Sequence, residues 1–319
     1  MGNNDNTLTR VGEFGLIKRV TRRLPADDNC LLGPGDDAAV LKAPDRRVVA
    51  CTDVLVEGRH FRRDWSSAVD VGHRAAAANL ADIAAMGARP TGLLVGMCLP
   101  GDVDVAWAEE LADGLAAEAA SVGAGVVGGD TVSSSELTIA VTALGDLQGR
   151  DPVTRAGARP GDILAVAGRL GWSAAGYTIL SRGFRSPGAL VAAHRRPEVP
   201  YGAGPLAATL GATAMIDVSD GLLADLGHVA EASRVTINVE SKSLEITEAM
   251  ANAAQAMGVD PLTWMLTGGE DHALAATFPP DVLLGDDWRI IGRVASGQSV
   301  TVDGSSHEGP AGWDHFSRT

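Results

Sequence analysis

Short apolar runs in this chain end, again and again, on a carboxylate beside a turn. "LGPGDDAAVL" sets Asp36 and Asp37 after a Gly-Pro-Gly turn, "RRVVACTD" ends on Thr52 and Asp53, and "AGVVGGDT" reaches Asp130. "TAMIDVSDG" carries Asp217 and Asp220, and "LTGGED" brings Glu270 and Asp271 up to the run "HALAATFP". Apolar runs this short, bounded by Gly, Pro and Asp, read as strands. The pattern recurs in both halves of the chain and so puts acidic groups at strand ends throughout.

Ala-rich stretches with helical stops lie between the runs. "DVGHRAAAANLADIAAMGARP" (Asp70 to Pro90) reads as a long helix ended by Gly87 and Pro90. "DVDVAWAEELADGLAAEAASVG" reads as another, stopping at Gly123, with "TGLLVGMCLP", "AGVVGGD" and "SELTIAVTALGDL" as strands. The polar, Gly/Pro-rich "GRDPVTRAGARPGD" (Gly149 to Asp162) is the expected boundary between domains 1–150 and 151–319. Beyond it come the strand "ILAVAG", a helix from about Ser173, and "TAMIDVSD" running into the helix "GLLADLGHVAEAS". The late strands are "HALAATFP" and "RIIGRVA". A length of 319 residues suits two domains, and strands mixed with helices in both give an α/β (α+β) class.

Charge narrows the partners. Forty acidic residues against 26 basic ones leave a net charge of −14, a surface that repels nucleic acid and anionic membranes, so neither is expected as a partner. No apolar run approaches the ~20 residues of a membrane span. The opening "MGNNDNTLTRVGEFG" lacks the basic-then-apolar layout of a signal peptide, so the cytoplasm is the expected location. Cys30, Cys51 and Cys98 are dispersed and without C-x-x-C spacing, against a disulfide framework or a zinc site. They read as buried small hydrophobes.

Any one aspartate beside a glycine is an ordinary turn or N-cap residue. Asp225, in the helix after the "SDG" turn, reads as a solvated helix residue. Asp82, inside "ANLADIAAMG", is harder to explain: aspartate is a poor helix former, and burying it unpaired costs several kcal/mol. Asn79 stands one turn before it on the same side. Together the carboxylates favour metal. Two of them about 4 Å apart repel by roughly 1 kcal/mol in water and about 4 at intermediate dielectric, so a cluster takes up protons or binds cations. Oxygen ligands without a His/Cys cluster suit Mg²⁺, which shares phosphate oxygens with a substrate and so reconciles an acidic chain with an anionic ligand.

"GRLGWSAAGY" (Gly168 to Tyr177) follows a strand and opens a helix, which reads either as an anion site or as tight strand-to-helix packing. The absence of G-x-x-x-x-G-K-[ST] excludes a P-loop enzyme. Neither an H-R-D kinase loop nor a G-x-S-x-G elbow occurs.

The motifs "GEFGLI", "GPGDDAAV", "TDVLVEGRHF", "NLADIAAMGARP", "GGDT", "TRAGARPGD", "IDVSDGLLADLGH", "GGEDHAL" and "GWDHF" occur in this order. They resemble the thiamine-monophosphate kinase family over essentially the whole chain, Gly12 to Phe316. The wider superfamily includes aminoimidazole ribonucleotide synthetase, selenophosphate synthetase and a hydrogenase maturation factor. The resemblance implies an N-terminal α/β domain whose strands pair with a second subunit's into a dimeric barrel, a C-terminal α/β domain, and a homodimer. It implies ATP-dependent phosphorylation of thiamine monophosphate to thiamine diphosphate, the last step of that cofactor's biosynthesis. The transfer is expected to be direct and in line, assisted by several Mg²⁺ ions.

By the same resemblance Asp37, Thr52, Asp53, Asp82, Asp130 and Asp217 match magnesium ligands and Asp220 a further one. Cys51 stands beside the metal where some members have Ser or Thr, a contact its backbone carbonyl can make. Gly129, Asp130, Arg155 and Ser219 match ATP-contacting positions, and His60, Glu270 and Trp313 match positions near thiamine phosphate. Trp172 replaces a more usual polar residue. His60 reads equally as a structural histidine, Arg155 as a salt-bridge partner, and Trp313 as a core residue or a stacking platform. No covalent or general-base catalytic residue is expected, because a phosphate acceptor with a second pKa of about 6 is already deprotonated at neutral pH. Phosphoryl transfer then needs positioning and charge neutralisation. The rival readings are a ribonucleotide cyclo-ligase, a selenophosphate synthetase or a hydrogenase maturation enzyme of the same superfamily, and a non-catalytic Mg-ATP-binding regulator. The selenium enzyme calls for a reactive Cys in a Gly-rich N-terminal segment, and Cys30 in "DDNCLLGPGDD" lacks that form.

Overall fold

A computed structural model describes residues 7–25, 27–34 and 38–313. Asp36, Asp37 and the end of "GWDHF" after Trp313 lie outside the described residues. The chain divides into two compact units, Met1–Ile83 with Arg89–Gly149 and Ala84–Ala88 with Arg150–Thr319.

The first unit contains α1 (Leu8–Val11), α2 (Glu13–Thr21), β1 (Cys30–Leu32), β2 (Val40–Leu41), β3 (Val49–Val56) and α3 (Ala68–Ala85). β4 (Arg89–Leu99), α4 (Val105–Ser121), β5 (Val126–Ser133) and β6 (Thr138–Asp146) complete it. The main sheet has the order β3-β6-β4-β5, with β4 and β5 parallel and the other pairs antiparallel. One face is the core: Ile139, Val141 and Ala143 of β6 and Leu93 of β4 are fully buried beside Ala75, Asn79, Leu80 and Ile83 of α3.

Two glycines set how closely α3 and α4 cross. A Cβ on Gly72 would stand 2.2 Å from the Leu111 carbonyl oxygen, and one on Gly114 would stand 2.2 Å from that of Val69. The Asp104 carboxylate caps α4 by accepting the Ala106 N–H at 3.0 Å.

The sequence reading needs one correction here. The expected dimeric barrel is absent: among the described residues no sheet closes. The four-stranded sheet ends on β3 and β5, and four strands are too few to wrap around a filled interior. The long helix ends where the sequence placed its stop: α3 runs to Ala85, Gly87 follows with a φ of +72° and donates its N–H to the Ala84 carbonyl at 2.8 Å, and Pro90 already lies in β4. Proline is tolerated there because the position is at the start of the strand.

The second unit contains β7 (Ile163–Ala167), α5 (Trp172–Ser181), α6 (Gly188–Arg195), α7 (Ala203–Thr209), β8 (Ala214–Val218), α8 (Leu222–Ser233) and β9 (Val235–Val239). After these come α9 (Glu248–Met257), α10 (Pro261–Thr267), β10 (Ala273–Phe278), β11 (Trp288–Ser296), β12 (Ser299–Val302) and β13 (Ser305–Ser306). Its sheet has the order β13-β12-β9-β11-β7-β10-β8 and is antiparallel except for β12 beside β9. Every residue of β7, β8 and β10 is buried, which is why these three read as unbroken apolar runs. Phe278 and Trp288 meet edge to face at 5.2 Å within a core that also holds Ala84, Ala85, Ala203 and Met215. The Met86 carbonyl accepts the Val153 N–H at 3.1 Å, so the short 84–88 segment belongs physically to this unit.

The glycine crossing is directly testable. Gly72→Ala is expected to lower stability by about 1–3 kcal/mol, because the backbone it meets cannot move aside. Gly227→Ala in α8, where a Cβ meets nothing within 4 Å, is expected to be neutral or stabilising by about 0.5–1 kcal/mol. Urea unfolding of the two variants gives the comparison.

Candidate active site

Each unit carries its own set of the candidate residues. In the first, β3 supplies Cys51, Thr52 and Asp53. Strand alternation turns Cys51 and Asp53 toward the buried face and Thr52 away from it. Asn79 of α3 ties this edge to the helix: its Oδ1 accepts the Asp53 N–H at 3.0 Å, and its Nδ2 donates to the Ala75 carbonyl at 3.0 Å. The Cys51 thiol donates to the Asn79 carbonyl at 3.3 Å and lies within hydrogen-bonding reach of Asp82. Burial foremost, then the charges of Asp82 and Asp53, pushes that thiol well above its ordinary range. Its sulfur therefore keeps its proton at neutral pH, and any contact of Cys51 with a hard cation falls to its carbonyl. The three cysteines are free and half-buried, which corrects the reading of them as buried small hydrophobes.

The Thr52 hydroxyl donates to the Val141 carbonyl at 3.0 Å and accepts from Thr142 Oγ1 at 3.0 Å. Asp130 comes from the opposite sheet edge. The register runs Asp53, Val141, Val95, Gly129 across the sheet, so Asp130 falls in the next row, with Gly96, Ala140 and Val54. Gly129 is needed because a Cβ there would stand 2.0 Å from the Val95 carbonyl oxygen. Gly129 and Asp130 line a groove of about 1010 Å³ with Phe14, Ile17, Leu24 and Leu94. His60 sits in the turn after β3, where its Nδ1 accepts the Val56 N–H at 3.0 Å and so leaves the ring proton on Nε2.

In the second unit the turn between β8 and α8 is wrapped around one carboxylate oxygen. Asp225 Oδ2 accepts the N–H groups of Ser219, Asp220 and Gly221 at 3.0, 3.1 and 3.1 Å. Asp225 is buried, not solvated as the sequence suggested, and it is the functional-site residue that sequence reasoning missed. The signal available was its spacing, four residues after the Gly of an apolar strand's exit turn. Burial and then the charge of Asp217 push its carboxyl up to about 7, with Asp220 adding to this and the N–H groups of Gly221 and Asp220 opposing.

Three further pieces dock on the same turn. The Glu270 N–H donates to the Ser219 carbonyl at 2.8 Å and the His272 N–H to that of Val218 at 3.0 Å. The Trp313 N–H reaches the Asp220 carbonyl at 2.9 Å, leaving its indole 59% exposed. His272 Nδ1 stands 3.1 Å from Asp217 Oδ2, and its Nε2 stands 3.8 Å from Glu270 Oε2. Burial alone would lower the His272 pKa, but the hydrogen bonds and charges of Asp217 and Glu270 outweigh it and raise it. Arg155 is exposed in a loop that Ser233 Oγ pins, donating to the Arg155 carbonyl at 2.8 Å and accepting the Gly157 N–H at 3.0 Å.

The helix start after "ILAVAG", open in sequence between an anion site and close packing, is filled from within. Asp271 Oδ1 accepts the Ser173 N–H at 2.8 Å, with Gly171 and Trp172 also donating to this carboxyl. A Cβ on Gly171, whose φ is +78°, would stand 2.7 Å from Met265 N. Trp172 faces outward to the Arg169 guanidinium, 4.4 Å from its ring centre.

Among the described residues no three His, Cys, Asp or Glu side chains are gathered as a complete metal cage. Oxygen donors at hand are the Asp53 and Asp82 carboxylates in one unit and those of Asp217 and Asp220 in the other. That donor set fits Mg²⁺, which is commonly held by one or two carboxylates with phosphates and waters completing its shell.

Residues 35–147 match the model of the AIR synthase related protein N-terminal domain. A thiamine-monophosphate kinase of Mycobacterium tuberculosis is 51% identical over 312 residues, covering 97% of this chain and 93% of the relative. The crystal structure of thiamine-monophosphate kinase from Stenotrophomonas maltophilia superposes with a TM-score of 0.81 at 34% identity, covering 92% of this chain and 96% of that one. A structure of AaThiL complexed with AMPPCP and TMP superposes with a TM-score of 0.81 at 33% identity, covering 97% and 98%.

Two carboxylates give measurable outcomes. Asp225→Ala strands three N–H groups and is expected to cost about 2–3 kcal/mol in denaturant unfolding, with Asp225→Asn losing less because its amide oxygen still accepts. A loss under about 0.5 kcal/mol for the alanine variant would remove Asp225 from this role. Burial raises the Asp271 carboxyl to about 7 against an ordinary 3.8, with the Ser173, Gly171 and Trp172 N–H groups opposing. The folded state thus binds more protons than the unfolded one across that interval, and this group's contribution to stability falls as pH rises from about 4 to 7. Asp271→Asn is expected to flatten the decline, so its Tm relative to the wild type rises over that window.

Proposed function

The chain belongs to the thiamine-monophosphate kinase family, and we propose that it transfers the γ-phosphate of ATP to thiamine monophosphate, giving thiamine diphosphate and ADP. The near-full-length match to kinases of that name carries the reading. Local geometry supports it: carboxylates grouped in each unit and turns locked by internal hydrogen bonds. The transfer is direct and in line.

Asp53, Asp82, Asp130, Asp217 and Asp220, with Asp37 and the Cys51–Thr52 backbone, are the residues that would hold Mg²⁺. Bound there, the ions supply charge neutralisation between two phosphate groups that otherwise repel. The chain's own work is positioning. Gly129 keeps β5 hard against β4, so the Asp130 backbone follows a fixed line beside the groove. Asp225 holds Ser219 and Asp220 with their backbone N–H groups turned inward, which commits the turn to one shape. Gly129, Asp130, Arg155 and Ser219 serve ATP, Arg155 as an always-charged partner for phosphate oxygens. His60, Glu270 and Trp313 serve thiamine monophosphate. The exposed indole of Trp313 gives a flat face for the thiazolium or pyrimidine ring. His60 can donate from Nε2 to a phosphate oxygen.

The enzyme acts as a homodimer in the cytoplasm. Val54, Leu94 and Val132 are exposed on the outer face of the first unit's sheet, an apolar surface suited to a second copy. Free, dispersed thiols fit a reducing compartment. No helix of the described residues is long and apolar enough to cross a membrane.

The direct test supplies purified protein with Mg-ATP and either thiamine or thiamine monophosphate and separates the products. Thiamine diphosphate formed only from the monophosphate, and only with Mg²⁺, is the expected outcome. None formed by a folded, ATP-binding protein would overturn the acceptor. Asp53→Asn and Asp130→Asn are expected to cut kcat by roughly 100-fold or more with circular dichroism unchanged. Trp313→Ala is expected to raise KM for thiamine monophosphate more than KM for ATP, and an equal effect on both would argue against stacking.

A further inference from the structure

His272 is a buried side chain that the reaction as described does not use. It lies one residue before β10, and β10 pairs with β8 through Ala273 opposite Val218 and Leu274 opposite Asp217. The ring therefore sits just past the paired part of the sheet, where the chain carries Asp217 on one side and Glu270 on the other. Its Nδ1 is 3.1 Å from Asp217 Oδ2 and its Nε2 is 3.8 Å from Glu270 Oε2. Asp217 and His272 are nearly inaccessible to solvent, and Nε2 has no hydrogen-bond acceptor among the described residues, Glu270 facing it at ion-pair distance.

The backbone is set to make this bridge. Glu270 and His272 have φ of +67° and +52°, a conformation that side chains other than glycine adopt at a cost and that persists only where neighbours enforce it. The enforcing contacts are the two N–H bonds from this loop to Ser219 and Val218. Gly269 adds to them by an approach so close that a Cβ would stand 2.1 Å from the Ser219 carbonyl oxygen. A loop whose only task was to join α10 to β10 has no need of two left-handed residues flanking a buried carboxylate.

We propose that His272 is a positioning residue that spans Asp217 and Glu270, holding the carboxylate assigned to Mg²⁺ and the carboxylate assigned to the acceptor in one fixed relation. The inference rests on those two assignments under the proposed function. His272 touches neither substrate. It acts by orienting two groups that do.

The two ring nitrogens can be separated. In His272→Asn the amide nitrogen stands near the place of Nδ1 and reaches Asp217 alone. In His272→Gln it stands near the place of Nε2 and reaches Glu270 alone. The full-length protein is assayed for Mn²⁺ binding by electron paramagnetic resonance in the presence of ATP, and for KM and kcat with thiamine monophosphate. His272→Asn is expected to raise the acceptor KM about tenfold and to leave Mn²⁺ affinity within about twofold. His272→Gln is expected to weaken Mn²⁺ binding about tenfold and to leave the acceptor KM within about twofold.

A merely structural role moves both readouts together in both variants, and that result, or no change in either, overturns the proposal. Should one variant fail to fold, the other decides by the same split, and failure of both to fold makes His272 a stability residue and sinks the idea. Wild-type protein that binds Mn²⁺ and ATP but makes no thiamine diphosphate overturns the functional reading instead, while the Mn²⁺ arm still reports on the Asp217 contact.

Discussion

The second unit's site hangs on a single oxygen atom. Asp225 Oδ2 collects three successive backbone N–H groups, and this fixes the path of the chain from Val218 to Gly221. Once that path is fixed, the carbonyls of Val218, Ser219 and Asp220 point outward from it as acceptors. The loop carrying Glu270 and His272 docks on the first two, and the segment ending at Trp313 docks on the third. Neither docking tolerates a side chain at its closest point, since a Cβ on Gly269 or Gly312 would stand 2.1 or 2.5 Å from those carbonyl oxygens. Residues more than ninety positions apart in sequence thus share one local frame, built from an internal carboxylate and backbone hydrogen bonds.

The first unit reaches a comparable result by other means. Most of its candidate residues ride on strands, so sheet register decides which way Cys51, Thr52, Asp53 and Asp130 face, and the helix residue Asn79 ties that register to the helix layer that carries Asp82. The close crossing of α3 and α4 at Gly72 and Gly114 sets the depth of that layer. In this unit position comes from packing, and in the other it comes from a polar turn.

Much of this was legible in the sequence. Fully buried strands announce themselves as unbroken apolar runs, so β7, β8 and β10 were readable, as was the sequence of Ala-rich helices. Asp82 could be singled out because a carboxylate in an apolar helix needs a partner. Asp225 offered only its spacing, and four positions after a glycine a helix residue can face water or fold back over the preceding turn. The start of α5 stayed ambiguous because the anion that fills it, Asp271, lies almost a hundred residues downstream. Glu270 and His272 gave no sign of left-handed backbone, since that conformation is usually signalled by Gly or Asn. The barrel expectation came from family resemblance alone, and nothing in strand patterning within one chain tells an open sheet from a closed one. The end of α3 was readable from Gly87, which takes the positive φ of a helix stop, but nothing in the pattern showed that the chain there departs for the second unit.

That departure bears on how the protein can be made. Residues 84–88 emerge from the ribosome well before the rest of the second unit, yet Ala84 and Ala85 belong to its core. The nascent chain must therefore carry a fragment of an interior whose walls have not been synthesised, and hold it until the last strands arrive. A fragment cut at the obvious linker inherits the defect permanently, with two missing alanines where its own core should close. The two units are compact in space but not severable in sequence, and only a permuted chain that restores the short segment could express the second one whole.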